Sequence, residues 1–130
     1  MREPRVTVVI PTFNNAETIG ASIHSALGQS ERDLEILVVD DGSHDETYAI
    51  VKMIADCDPR VQLIRHPVNL GAAAARNTAL KAARGQWVAL LDADDRYEPG
   101  RIARLLKVGM EKDADIVCDE LQLLVFNCIN

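Results

Sequence analysis

Three carboxylates in four residues, Asp92, Asp94 and Asp95, directly follow the apolar run Trp87-Val88-Ala89-Leu90-Leu91. Two unit charges about 4 Å apart repel by about 4 kcal/mol at an effective dielectric of 20, so such a group needs a cation or protons. Oxygen donors without His or thiolate favour a hard divalent ion, Mg²⁺ or Mn²⁺, which usually completes its shell with substrate phosphates. Asp40-Asp41-Gly42-Ser43 follows a second apolar run, Leu34 to Val39, and Pro11-Thr12-Phe13-Asn14-Asn15 follows a third, Val6 to Ile10. Asp and Ser often serve only to cap helices and turns. Ser43 reads as such a cap, and Asp40 divides evenly between loop polarity and a site. The Asp92 run resists that explanation and points to a metal-bound diphosphate. Glycine-rich phosphate cradles are absent: there is no G-x-x-x-x-G-K-[ST], and no G-x-G-x-x-G after the first run. Metal and Arg must then do the holding.

These polar segments need a scaffold that brings them together, and the intervening sequence describes one. Val6–Ile10, stopped by Pro11, Leu34–Val39, Val61–Arg65 and Trp87–Leu91 read as short buried strands. Between them lie amphipathic stretches. Asn14 with Glu17, and Ser43 with Glu46, fit capping boxes for two helices. Ile19, Ile23, Ala26 and Leu27 face inward on the first, and Ile50, Val51, Ile54 and Ala55 on the second. An alanine-rich helix runs from about Ala72 to Ala83, ended by Gly85 at positive φ, and Pro99 opens a helix with Ile102, Leu105 and Leu106 inward. Ile116–Cys118 and Leu121–Phe126 are further strand material. Strand–helix alternation implies one α/β domain over 1–130, a Rossmann-like, mostly parallel sheet with helices on both faces. In such sheets ligands bind beyond the carboxyl ends of the strands, where Asp40, Asp41, Asp92, Asp94 and Asp95 all fall.

The chain has 130 residues, 48% apolar and 26% charged, the balance of a globular domain, with a formal charge of −6 and pI ≈ 5.0. That charge argues against a nucleic-acid binder, whose footprint is basic, and the few aromatics argue against a base-stacking platform. Cys57, Cys118 and Cys128 are widely spaced, with no CxxC pair, and read as reduced, mostly buried thiols. His24, His44 and His66 show no ligand spacing and read as surface or loop residues. No apolar stretch is long enough for a signal sequence or membrane span, so the cytoplasm, or the inner face of its membrane, is the expected address.

Taken in order, Val8-Val9-Ile10-Pro11-Thr12-Phe13-Asn14, Asp40-Asp41-Gly42-Ser43, Asn69-Leu70-Gly71 through Ala75-Arg76-Asn77, and Leu91-Asp92-Ala93-Asp94-Asp95 resemble the donor-binding half of family 2 glycosyltransferases. These are inverting enzymes of the GT-A fold, and the resemblance runs from about residue 5 to about residue 120. It implies a nucleotide-sugar donor, with a UDP-sugar expected, and a saccharide or lipid-linked acceptor. Pro11, Thr12 and Asp41 would hold the nucleotide base, usually uracil. Arg76 would lie near base or diphosphate, Asp94 and Asp95 would contact metal (Mn²⁺ or Mg²⁺) and ribose, and Asp92 would orient the site or the sugar. Glu17 stands where a family member touches nucleotide, although helix capping already explains it.

Family members supply the general base from beyond the D-x-D signature, and here the chain stops 35 residues after Asp95. The base is therefore expected to be missing, since Asp119 and Glu120 come too early to match it. The same shortness leaves open a nucleotide-sugar-binding module without turnover, and the apolar end at Val125–Asn130 suggests a fragment or pairing of two copies through a sheet edge. A phosphoacceptor receiver domain is disfavoured, because its acid pair would follow the first strand, where Pro11-Thr12-Phe13-Asn14 stands.

Overall fold

The computed structural model describes residues 2–118 and, for the backbone, 124–127. Its elements run β1 (Val6–Thr12), α1 (Ile19–Leu27), β2 (Leu34–Asp40), α2 (Thr47–Cys57), β3 (Val61–Arg65), α3 (Ala72–Ala82), β4 (Trp87–Leu90), α4 (Arg101–Glu111), β5 (Ile116–Cys118) and β6 (Leu124–Asn127). They form one sheet in the order β3-β2-β1-β4-β6-β5. The first four in that order are parallel, while β6 runs antiparallel to both β4 and β5. Successive strands step outward from β1 to β3, and the chain then returns to the other side of β1 with β4. The order thus reverses between β1 and β4, which opens a crevice at their carboxyl ends.

The β-branched runs form strands because both faces of the sheet are covered. Val6, Val8, Ile10, Leu34, Ile36 and Val38 point to one side, where they meet Ile19, Ile23 and Ala26 of α1, Val51 of α2, and Ile102, Leu105 and Leu106 of α4. Val9, Leu37, Val39 and Val88 point to the other, against Ala75 and Ala79 of α3. Those alanines, fully buried, let α3 lie close on the sheet and so carry Arg76 to its rim.

Several local expectations are corrected. Pro11 does not stop β1, which continues to Thr12. Alternate residues of a parallel ladder address opposite neighbours: Val9 O accepts from Leu91 N at 3.0 Å, whereas Thr12 O accepts from Asp41 N at 2.9 Å. Pro11 therefore turns its missing N–H toward β4, where pairing has already ended at Val9–Leu90. Neither capping box forms. Thr18 and Glu46 occupy the N-cap positions without side-chain capping bonds, because Asn14 and Ser43 are bound to each other's loops. Gly85 is not a positive-φ terminator; Ala83 caps α3 in extended conformation. Gly85 is instead a point of close approach, where a Cβ would sit 2.5 Å from Thr7 N. Cys57 and Cys118 are exposed rather than buried. Val117 takes the inward position of β5, so its neighbour Cys118 faces out. Asp119, Glu120, Leu121–Leu123 and residues 128–130, Cys128 included, lie outside the described residues.

Candidate active site

The loops after β1 and β2 are stitched together by asparagine. Asn14, at φ 52°, donates its N–H to Ser43 Oγ (2.9 Å) and accepts from His44 N (2.8 Å). Asn15 Oδ1 accepts from Thr12 Oγ1 and Phe13 N, both at 2.9 Å, and Asn15 N donates to Thr47 Oγ1. Asp45 accepts from Thr47 N at 2.9 Å and from its hydroxyl, doing the capping work expected of Ser43. Hydrogen bonds, first that of Thr47, hold the Asp45 carboxyl below the ordinary range.

Asp40 and Asp41 are neighbours with different fates. Asp40 is wholly buried; Oδ1 accepts from Ser43 N at 3.0 Å, and Oδ2 lies 3.6 Å from Arg65 Nε. It turns the chain and does not join the carboxylate group at the crevice. Asp41 lines the crevice. Its Oδ1 accepts from Leu70 N (2.9 Å) and pairs with His66 Nδ1 (2.8 Å), and its Oδ2 accepts from Gly71 N (2.9 Å). Burial would raise the Asp41 pKa, but the His66 and amide hydrogen bonds outweigh it and keep the group below its ordinary 3.8. Gly42 makes this geometry possible: at φ 79° a side chain there is strained, and a Cβ would sit 2.8 Å from the Val68 carbonyl carbon.

After β4 the chain makes a tight turn, with Asp95 N bonded to Asp92 O at 3.0 Å. Ser22, buried on α1, braces it from below, sharing its one hydroxyl proton among the carbonyls of Ala93 (2.8 Å), Asp92 (3.3 Å) and Asp95. Buried Ala93 points inward, and the carboxylates of Asp92, Asp94 and Asp95 are exposed with an oxygen of each within 4.8 Å of the others. No hydrogen bond or ion pair holds these three carboxylates among the described residues.

A cavity of about 400 Å³ collects Pro11, Thr12, Asp41, Arg76, Asp92 and Asp94. Asp95 joins Asp92 and Asp94 in the acidic cluster without lining the cavity. Glu17 lines an adjoining hollow with Asp45 and Asp94. Half-buried Arg76 forms no ion pair among the described residues, although the crevice is acidic. Ser22 and His66 were not legible as site residues. Serine is common on helices, and His66 finds its partners 25 residues before it and 12 after.

The profile described as glycosyl transferase family 2 matches residues 7–123. The chain belongs to glycosyl transferase family 2. It is 43% identical over 121 residues to the succinoglycan biosynthesis protein ExoO of Rhizobium meliloti (strain 1021), covering 93% of this chain and 34% of that protein. S. aureus TarS, solved in complex with UDP, superposes with a TM-score of 0.79 at 28% identity, over 86% of this chain and 34% of that one. The mannosyltransferase PcManGT of Pyrobaculum calidifontis, solved with GDP-Man and Mn²⁺, gives 0.73 at 35% identity, over 82% and 32%. The chain thus spans about a third of the length of these relatives. The GT-A fold expected from the sequence is borne out by these neighbours. An acidic group suited to a divalent cation stands where β4 ends, and no described helix is long and apolar enough to cross a membrane.

Proposed function

We propose that this chain is the donor-binding part of an inverting glycosyltransferase, taking a nucleoside diphosphate sugar, with a UDP-sugar as the favoured donor. One observation carries the reading: Arg76 and the carboxylates of Asp92 and Asp94, none of them in an ion pair among the described residues, line the same crevice at the sheet's reversal point. A ligand that satisfies both is a diphosphate bearing a divalent cation. Pro11, Thr12 and Asp41 hold the base, Arg76 meets the diphosphate, and Asp92 orients the sugar.

Three carboxylates with converging oxygens and no sulfur or imidazole fit Mn²⁺ or Mg²⁺. Asp94 and Asp95 would hold the ion, with Asp92 in reach. When bound, it supplies positive charge against the diphosphate as that group leaves. Arg76 adds a fixed positive charge on the facing wall, and Ser22 keeps the Asp92–Asp95 turn in place. The acceptor hydroxyl attacks the anomeric carbon opposite the diphosphate, inverting it, and gives its proton to a base that we assign to no described residue. ExoO is named for succinoglycan biosynthesis, which supports a saccharide acceptor and a place in polysaccharide assembly.

Calorimetric titration of UDP with and without Mn²⁺ tests the reading. Affinity that rises at least about 100-fold with Mn²⁺, a gain lost in Asp94→Ala, supports it. Metal-independent or absent UDP binding contradicts it.

A further inference from the structure

His66 is a buried imidazole with both ring nitrogens engaged: Nδ1 lies 2.8 Å from Asp41 Oδ1 and Nε2 lies 2.8 Å from Thr78 Oγ1. Its proton arrangement follows from the partners. Ionised Asp41 only accepts, so Nδ1 carries a proton. Thr78 also reaches Ala74 O at 3.0 Å and has one proton to give. If that proton goes to Ala74, Nε2–H donates to Thr78 and the ring is charged. If it goes to Nε2, the ring is neutral. Nδ1–H faces Asp41 in both states.

A carboxylate offers about four acceptor positions. Leu70 N and His66 Nδ1 occupy both on Oδ1, and Gly71 N occupies one on Oδ2. Asp41 therefore presents one remaining acceptor to the crevice, in a plane fixed from three sides. We infer that His66 is a positioning residue for base selection: by filling Oδ1 it leaves Asp41 one fixed acceptor, which favours a pyrimidine whose ring nitrogen bears hydrogen. Uracil offers that N–H. Cytosine presents a bare ring nitrogen there, and its lone pair faces that of the carboxylate. Without His66, Oδ1 has a free position, and the carboxylate can pivot to accept cytosine's amino group. The inference rests on the nucleotide-binding reading above.

UDP and CDP share ribose, diphosphate and metal, so their affinity ratio isolates the base. Calorimetry with Mn²⁺ is expected to give wild type a preference for UDP of at least about tenfold, the worth of one well-placed hydrogen bond against an unmatched one. His66→Leu brings the ratio within about twofold, while His66→Asn, whose amide can donate from near the Nδ1 position, keeps most of it. Thr78→Val, which removes only the outer partner, falls between. A wild-type ratio in folded His66→Leu overturns the inference while the nucleotide reading stands. Wild type that binds neither nucleotide ends both. Nitrogen-15 imidazole spectra of the unaltered protein, across the pH range in which it stays folded, give an independent check. Protonated Nδ1 throughout is expected, and a neutral ring with its proton on Nε2 alone overturns the inference.

Discussion

At the amino ends of β1 and β2, Glu35 is buried and surrounded by donors. It accepts from Thr7 Oγ1 (2.6 Å), Arg84 N (2.8 Å), Arg84 Nε (3.1 Å) and Arg84 Nη2 (3.0 Å), while Gly85 N closes the ring onto Thr7 Oγ1. At the opposite ends of the strands, Asp92, Asp94 and Asp95 face solvent with no such donors among the described residues. The same chemical group thus does two jobs. Glu35 ties the end of α3 to the sheet, and its hydrogen bonds are spent on the fold. On the proposed reading the Asp cluster keeps its acceptors for something outside the chain, while Ser22 supports the backbone beneath it.

That division is open to breakage from either side. Asp94→Ala is expected to weaken Mn²⁺-dependent UDP binding by at least about 100-fold, roughly 3 kcal/mol. Its unfolding free energy in urea should change by no more than about 0.5 kcal/mol, since no hydrogen bond or ion pair of its carboxylate among the described residues is lost. Glu35→Ala is expected to do the reverse. Breaking a buried pair costs about 3–5 kcal/mol, and the low end applies because the Arg84 side chain is 47% exposed and regains water. UDP affinity of the folded fraction should be unchanged. If Glu35→Ala weakened UDP binding at constant fold, or Asp94→Ala unfolded the protein, the two ends would not be separate.

Ser22→Ala sharpens the comparison, because that hydroxyl belongs to the fold and to the site. It should lower stability by about 1 kcal/mol, read by urea unfolding, and Mn²⁺ affinity by about tenfold. Loss of stability alone would make Ser22 a packing residue only.

Acid titration addresses Asp41, which stands between the two kinds of carboxylate. Its pKa is below the ordinary 3.8 despite burial, through His66 and the Leu70 and Gly71 amides. A depressed acid adds stability that is complete above its unfolded value and disappears as pH falls through its folded one. Wild type should therefore lose stability with acid below about pH 4, and Asp41→Asn should show a shallower decline over that range. Equal slopes for the two proteins would contradict the stated role.

What the sequence disclosed tracks how local each signal is. Strands β1 and β2 were plain because burial on both faces demands unbroken β-branched runs, and the helix faces because Ile19, Ile23 and Ala26 repeat at helical spacing. Asp41, Asp92 and Asp94 were found through their positions after strands and Arg76 through the family resemblance, and all four do meet in one cavity. The helix starts were misread because Asn14 and Ser43 form bonds across loops 29 residues apart, which no capping pattern encodes. Asp40 divided evenly between loop polarity and a site, and the turn at β2 decides it by burying Asp40 and presenting Asp41 to the crevice. His66, read as a surface or loop residue, is instead buried, because its place is set by the tertiary contacts with Asp41 and Thr78.

The central claim is one of location: carboxylates of the Asp92–Asp95 turn hold a divalent ion beside a nucleotide in the β1–β4 crevice. Paramagnetic broadening of amide resonances by substoichiometric Mn²⁺, followed by addition of UDP, tests it directly. Broadening centred on residues 92–95 and Ser22, with UDP then shifting residues 12–15 and 69–76, is the expected result. Broadening centred on other surface acids, such as Asp56 or Glu111, or UDP shifts away from the crevice, would contradict it.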